Sequence, residues 1–311
     1  MKVVITGGTG FIGQALSRAL CERGDDVTVL TRSSHPTDPD SAKGAPRRAR
    51  LAEWTPEHDG SWTRELEGAD AVFHLAGAGV VDKSWTPDRL REIERSRVVP
   101  AEILARSIAR SLSKPKVFVS GSAVGYYGMR ADDTVCTEDT APGTDELSRI
   151  CVEWERAANP AAEAGVRVVH PRTGLVLGRG GGMLAKMLPA FKAYVGGPIG
   201  SGHQYMPWIH MEDVVRALLF AIDNEALTGP VNVVAPNPVT MDEFSKTLGC
   251  ALHRPCLFRV PSFAAKLALG DRSRAVLTGQ RALPAKLDRA NFAFLFPTLR
   301  CALEDLFGEV S

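Results

Sequence analysis

Apolar positions in this chain follow two alternating rhythms. Short apolar runs occur at 3–5, 26–31, 71–77, 116–120 and 166–170, the first wholly β-branched and long enough for a buried strand. Apolar residues at helical spacing fall between them, first at 11–21 and then at 86–111, where Leu90, Ile93, Val98, Ile103 and Leu104 oppose a charged face. Pro100 is expected to kink or split that second helix. Weaker signals predict a strand near 50–54, another at 231–234, and helices at 146–158, 183–194, 210–221 and 242–251. Strands alternating with amphipathic helices predict an α/β fold with a parallel sheet covered on both faces. Beyond residue 252 the pattern breaks into short helices punctuated by Pro261, Pro284 and Pro297. Leu267, Leu269, Val276, Leu277, Leu287, Phe292, Phe294 and Leu295 give that segment apolar material to pack on the rest. The expected division is a main domain over 1–251, including substrate-side elements, and a small helical domain over 252–311. Residues 33–50, rich in Pro, Ser, Gly, Asp and Arg, read as a flexible loop, and 196–204 as a loop over the cleft.

The first strand runs straight into Gly7, Gly10 and Gly13 at three-residue spacing, and a helix opens at Phe11. Glycines there allow a sharp turn and close approach of a ligand, while free amides and the helix dipole favour a diphosphate. A strand before and a helix plus second strand after make this a dinucleotide-binding turn of Rossmann type, with Gly7, Thr9, Gly10, Phe11, Ile12 and Gly13 as its contact residues. A glycine-rich turn without a ligand is the alternative. The end of the second strand would face the adenosine ribose. It carries Arg32 and no acidic residue in the turn, a choice that suits the 2′-phosphate of NADP(H) over the 2′-hydroxyl of NAD(H). A solvated surface arginine is the other reading of Arg32. Trp54 sits beside the adenine or belongs to the core. Leu75, Ala76 and Gly77 end the fourth strand with small residues suited to close backbone approach, and His74 reads as a core histidine rather than a base.

Composition narrows the partners. Lys and Arg total 37 against 36 for Asp and Glu, a balance that gives no support for a nucleic-acid or anionic-membrane partner. The six cysteines form no C-x-x-C pair and no zinc-like cluster with histidine, so no metal is expected and the thiols are expected to be free. With no apolar run of membrane-spanning length and a strand at the very start, the expectation is a soluble cytoplasmic protein acting on a small molecule.

Ser120, Gly121, Ser122, Tyr126 and Tyr127 gather hydroxyls and phenols after the fifth strand, where they could meet a carbonyl or alcohol, although either tyrosine could simply pack on the sheet. These residues carry a resemblance. The glycine turn, His74-Leu-Ala-Gly77, Ser120-Gly-Ser122 with Tyr126-Tyr-Gly128, and Arg172-Thr-Gly-Leu-Val-Leu-Gly178 resemble the extended short-chain dehydrogenase/reductases, the NAD(P)-binding nucleotide-sugar epimerase and dehydratase-like enzymes. Gly196-Gly-Pro-Ile-Gly-Ser-Gly-His-Gln204, Pro207-Trp-Ile-His-Met-Glu-Asp213 and the segment from Gly279 to Pro297 look like the atypical epimerase family protein subgroup, the YfcH-like proteins. The resemblance covers essentially the whole chain. It implies Ser120, Gly121, Arg172 and Thr173 near the cofactor, Gln204, Trp208 and His210 near the substrate, and a homodimer as one oligomeric state. His210 or Asp213 could instead only cap a helix.

One departure matters. Extended members carry Tyr-x-x-x-Lys about twenty-five residues after the serine, where the lysine lowers the pKa of the proton-transferring tyrosine. Laying Ser122 on that serine places Leu147 and Cys151 at those positions, while Arg149 and Glu155 still match the surrounding pattern. Cys151 reads as an inert helical thiol. Ser122, Tyr126 and Tyr127 are therefore the candidate catalytic residues. Two functions remain open: an NADP(H)-dependent oxidoreductase or epimerase on a small polar, nucleotide-sugar-like substrate, or an NADP(H)-binding regulator or scaffold with little turnover.

Overall fold

The computed structural model describes residues 1–32, 46, 48–256 and 258–308. Most of the 33–50 segment, read from sequence as a flexible loop, lies outside the described residues.

The chain opens with β1 (Lys2–Thr6), crosses through α1 (Phe11–Arg23) and returns as β2 (Asp26–Thr31), which pairs in parallel with β1 and with β3 (Arg50–Glu53). β4 (Ala71–His74) then pairs on the opposite side of β1, so the order of strands reverses between β1 and β4. α2 (Pro87–Arg110) leads to β5 (Val117–Ser120) and the two-residue β6 (Ser122–Ala123), with a 3-10 turn over 124–127. β7 (Val135–Cys136), α3 (Glu146–Arg156) and α4 (Asn159–Glu163) precede β8 (Arg167–Thr173), and β9 (Leu175–Leu177) and α5 (Gly182–Lys192) follow it. β10 (Tyr205–Met206), β11 (Trp208–His210), α6 (Met211–Asp223), β12 (Gly229–Val233), β13 (Val239–Thr240) and α7 (Met241–Ala251) complete the first part. Across the main sheet the order is β12-β8-β5-β4-β1-β2-β3, parallel throughout, with β6 also on β8. This is the doubly wound Rossmann-type sheet that the alternation predicts.

The apolar runs are explained by burial on both faces. Val3 and Ile5 of β1 point into a core with Leu16 and Leu20 of α1 and Val214 and Leu218 of α6. Val4, between them, joins Leu104 and Ile108 of α2 and Phe118 of β5 on the other face. Pro100 does not split α2, which runs unbroken for 24 residues. Proline in a helix interior costs about 3 kcal/mol, and the fully buried Ala101, Leu104 and Ile108 that follow it hold the helix to the sheet. Trp54 belongs to the core, edge-on to Trp62 with ring centroids 5.6 Å apart.

The last sixty residues form α8 (Ser262–Leu269), α9 (Ser273–Leu277), β14 (Arg281–Ala282), α10 (Ala285–Arg289) and α11 (Leu299–Phe307). They share cores with what precedes them: Leu287 and Phe292 join the α1–α6 side of the sheet, and Leu299, Leu303 and Leu306 pack on Phe244 and Leu248 of α7. β14 pairs with β7, and Val260 bridges Ile199 in the 196–204 loop. All six cysteines are free.

Candidate active site

The reversal of strand order puts the C-terminal ends of β1 and β4 side by side, the position at which open α/β sheets bind ligands. Gly7 leaves β1 in the left-handed region, φ 73°, with its α-carbon against the tip of β4. A Cβ there would lie 2.6 Å from the Ala76 amide nitrogen, and one on Gly13 would lie 2.0 Å from the Gly7 carbonyl oxygen. Any side chain at either position would force the turn open. α1 starts with no side-chain cap on its N-terminus, which leaves the first-turn amides of Phe11, Ile12 and Gly13 without a protein cap. A closed turn under an uncapped helix end fits a dinucleotide's diphosphate. Thr9 holds the turn through its carbonyl, which accepts from Gln14 Nε2 at 2.6 Å. The Phe11 ring packs beneath Gly181 and Gly182, so those glycines serve close packing at the start of α5. Arg32 is exposed at the end of β2.

The substrate-side half is a network of side chains. Ser122 Oγ donates to Glu155 Oε1 at 2.6 Å, and Glu155 receives Arg172 in a two-pronged pair, Nε to Oε1 at 2.8 Å and Nη2 to Oε2 at 2.9 Å. Arg172 Nη1 donates to the Tyr127 hydroxyl at 3.1 Å and to the Glu138 carbonyl, and Tyr127 donates to Asn232 Oδ1 at 2.5 Å. Asn232 reaches the C-terminal segment through the Leu283 carbonyl, and Glu138 Oε1 accepts the Asn232 and Lys286 amides. Burial works against the Arg172 charge, yet its bonds and attraction to Glu155 outweigh that and leave its pKa raised. Burial pushes the Tyr127 phenol up to about 12. The two tyrosines therefore differ. Tyr127 is fully buried with its hydroxyl engaged on both sides, whereas Tyr126 is half-buried, its ring 3.4 Å beneath the Arg172 guanidinium and its hydroxyl without a protein partner among the described residues. Arg172 and Thr173 end β8, and the Arg172 donors are used inside this network, away from the glycine turn.

Leu147 and Cys151 occupy the face of α3 beside the 3-10 turn. Leu147 joins an apolar cluster with Trp85, Ile93 and Ile150. Cys151 is buried and its thiol is pushed up to about 12 by desolvation, which keeps it neutral. His74 is completely buried. Its Nδ1 lies 2.7 Å from Thr6 Oγ1 and its Nε2 3.3 Å from the Arg97 carbonyl, and burial lowers its pKa to about 4. A neutral ring donating from Nε2 and accepting from Thr6 satisfies both bonds. It ties β1, β4 and α2 together.

Gln204, Trp208 and His210 lie apart from that network. Gln204 is buried and donates to the Ile199 and Val276 carbonyls, fixing the 196–204 loop to the C-terminal segment. Trp208 is buried in the core beside Phe244 and donates to the Asn237 carbonyl. His210 caps α6, its Nδ1 accepting from the Glu212 amide at 3.2 Å, and its Nε2 lies 3.3 Å from Asp305. Asp213 accepts instead from the Leu295 and Phe296 amides. Sequence reasoning missed Asn232 and Glu138, which no motif marks. It noted Glu155 only for its register, and it passed over Arg97, a charge standing in the buried stripe of α2. Among the described residues no group of three or more His, Cys, Asp and Glu could hold a metal, and no helix is long and apolar enough to cross a membrane.

Comparison with known proteins agrees with this geometry. Residues 3–234 match the NAD dependent epimerase/dehydratase family, and residues 260–306 match a domain of unknown function, DUF1731. The epimerase family protein ML0860 of Mycobacterium leprae is 41% identical over 302 residues, covering 97% of this chain and 94% of its own. YfhF of Bacillus subtilis is 34% identical, covering 99% of each chain. Among solved structures, the human epimerase family protein SDR39U1, crystallised with NADPH, has a TM-score of 0.87 at 33% identity and covers 98% of this chain and 99% of its own. A nucleoside-diphosphate sugar epimerase from Corynebacterium glutamicum has a TM-score of 0.78 at 32% identity and matches over 99% of this chain and 59% of its own.

Proposed function

The chain belongs to the NAD dependent epimerase/dehydratase family, and from that premise we propose that it is an NADP(H)-binding oxidoreductase or epimerase-like enzyme acting on a small polar substrate of nucleotide-sugar type. The observation that carries the cofactor reading is the glycine turn, closed against Ala76 and set under an uncapped helix end. The exposed Arg32 and the NADPH held by the human relative favour NADP(H) over NAD(H). The likeness to a nucleoside-diphosphate sugar epimerase supports the substrate class. When bound, the nicotinamide would supply hydride chemistry. The first-turn amides of α1 and the small residues Ala76 and Gly77 would hold and orient it. On the substrate side, Tyr126 is the phenol free to exchange a proton, with Ser122 in β6 just before its turn. Tyr127 and Arg172 hold that turn in place.

A second reading is favoured by one observation: the positions of the family's tyrosine and lysine are filled by an apolar side chain and a neutral thiol. A protein that binds NADP(H) to signal or scaffold, with little turnover, needs neither group. The division of the chain near residue 252 likewise belongs to our reading.

Calorimetric titration with NADPH and NADH tests the cofactor, with NADPH expected to bind more tightly and that preference lost in Arg32→Asp. Equal or absent binding of the two would remove the reading. Oxidation of bound NADPH by a pool of nucleotide sugars and small carbonyl compounds, slowed in Tyr126→Phe, separates enzyme from scaffold.

A further inference from the structure

Helix α2 turns a buried stripe to the sheet in which Ile93, Ala101, Leu104 and Ile108 are at most 1% exposed. Arg97 stands in the middle of that stripe, one turn from Ile93 and one from Ala101. Its guanidinium lies against the backbone just past β4, where a Cβ on Gly77 would sit 3.0 Å from Arg97 Cζ and 3.2 Å from Nη1. On its other side the guanidinium carbon is 5.2 Å from the centroid of the Trp154 ring, which packs in turn on Gly121 just past β5. His74 holds the Arg97 carbonyl, so both ends of the residue are fixed.

What this placement lacks is a counter-charge. Nη1 donates to the Ile93 carbonyl at 3.1 Å and lies 3.5 Å from Ser96 Oγ, and among the described residues Nε and Nη2 find no acceptor and no carboxylate pairs with the group. Other arginines of this region are paired: Arg172 with Glu155, Arg149 with Glu94, Arg89 with Glu92. A guanidinium keeps its proton under these conditions, and that of the half-buried Arg97 leaves Nε and Nη2 open to solvent or to a ligand. Burial and the neighbouring Arg89 both press its pKa down. The residue is also well sited for a ligand. The tip of β4 touches the glycine turn through Ala76 and Arg97 through Gly77, so a molecule lying on the turn and continuing over the tip reaches the free guanidinium next.

We propose that Arg97 is an anion-binding residue of the cleft, taking a phosphate or carboxylate oxygen that arrives over Gly77. The anion is either the diphosphate of the dinucleotide or an acidic group of the substrate. The first source rests on the cofactor reading; the second does not. A charged hydrogen bond of this kind is worth about tenfold or more in affinity.

The test uses the full chain as wild type, Arg97→Met and Arg97→Lys. Thermal unfolding comes first. Arg97→Met is expected to melt no lower than wild type, because removing an unpaired charge strands no partner. NADPH is then titrated by calorimetry, and pyrophosphate and malonate are titrated with tryptophan emission as the readout, Trp154 lying beside the guanidinium, without NADPH and in its presence. Weakening of NADPH by about tenfold or more in Arg97→Met, with partial recovery in Arg97→Lys, assigns the anion to the cofactor. Loss of the pyrophosphate or malonate response alone assigns it to the substrate. Unchanged binding of all three in Arg97→Met overturns the proposal, as does a large drop in melting temperature shared by both variants, which marks a packing role. If wild type binds no NADPH yet shows an Arg97-dependent response to either anion, the proposal stands and the cofactor reading falls. NADPH binding that ignores every Arg97 change, with the pyrophosphate and malonate responses unchanged as well, has the reverse meaning.

Discussion

The two halves of the cleft are built from different material. In the glycine turn, backbone meets backbone: Gly7 against Ala76, and Gly13 against Gly7. Beyond β5, side chains from distant parts of the chain meet one another, Ser122, Tyr127, Glu155, Arg172 and Asn232 forming one chain of hydrogen bonds. The first half cannot accept an added carbon. The second cannot lose a partner, because each of its buried polar groups depends on the next.

The largest expected effect comes from breaking the second half. Glu155→Ala leaves the nearly inaccessible Arg172 charged and without its carboxylate, and loss of one partner of such a pair costs about 3–5 kcal/mol. Urea unfolding should show this, with a smaller loss in Glu155→Gln. A change below about 1 kcal/mol, the range of an exposed pair, would mean that the network is not holding this half together.

Next comes the seam. His74 is neutral in the fold, its pKa lowered to about 4, while an unfolded histidine takes a proton near 6.5. The unfolded state therefore binds more protons between those values, and stability is full above pH 6.5 and falls as pH drops toward 4, by roughly 3 kcal/mol from this residue. The pKa values of His170 and His210 are also lowered by burial, so both act in the same direction. Urea midpoints between pH 7 and pH 4 check this. A His74→Asn variant should show a shallower slope, and an equal slope in that variant would show that the seam does not carry the pH dependence.

The smallest effect on stability sharpens the comparison most. Gly13→Ala forces a carbon to 2.0 Å from the Gly7 carbonyl oxygen, an overpacking that costs about 1–3 kcal/mol. It should also abolish NADPH binding in a chain that still folds. Glu155→Gln should do the opposite, keeping NADPH while weakening the substrate side. If both variants lose NADPH alike, the halves are not separable.

Much of the first half was legible from residues alone. The run at 26–31 became β2 with the same bounds, and the glycine spacing predicted the turn, because strand length and helical period are local properties of the backbone. Register on α3 was legible too, since Leu147 and Cys151 do face the 3-10 turn, where Gly125 approaches both. A split of the helix at Pro100 did not occur, because local propensity says nothing of the core that holds its flanks.

The sequence by itself determined the alternation of strands and helices, the closed glycine turn, and the absence of the usual tyrosine and lysine. Tertiary structure alone decided which of two adjacent tyrosines keeps a free hydroxyl, where Arg172 spends its donors, and that Arg97 has no carboxylate partner among the described residues. The physical reason is range. A turn or a helix is set by neighbours a few residues apart, whereas Tyr127 on the 3-10 turn and Asn232 on β12 are 105 residues apart and meet only because the sheet brings the end of β12 to that turn. Whether a buried charge is paired depends on that meeting.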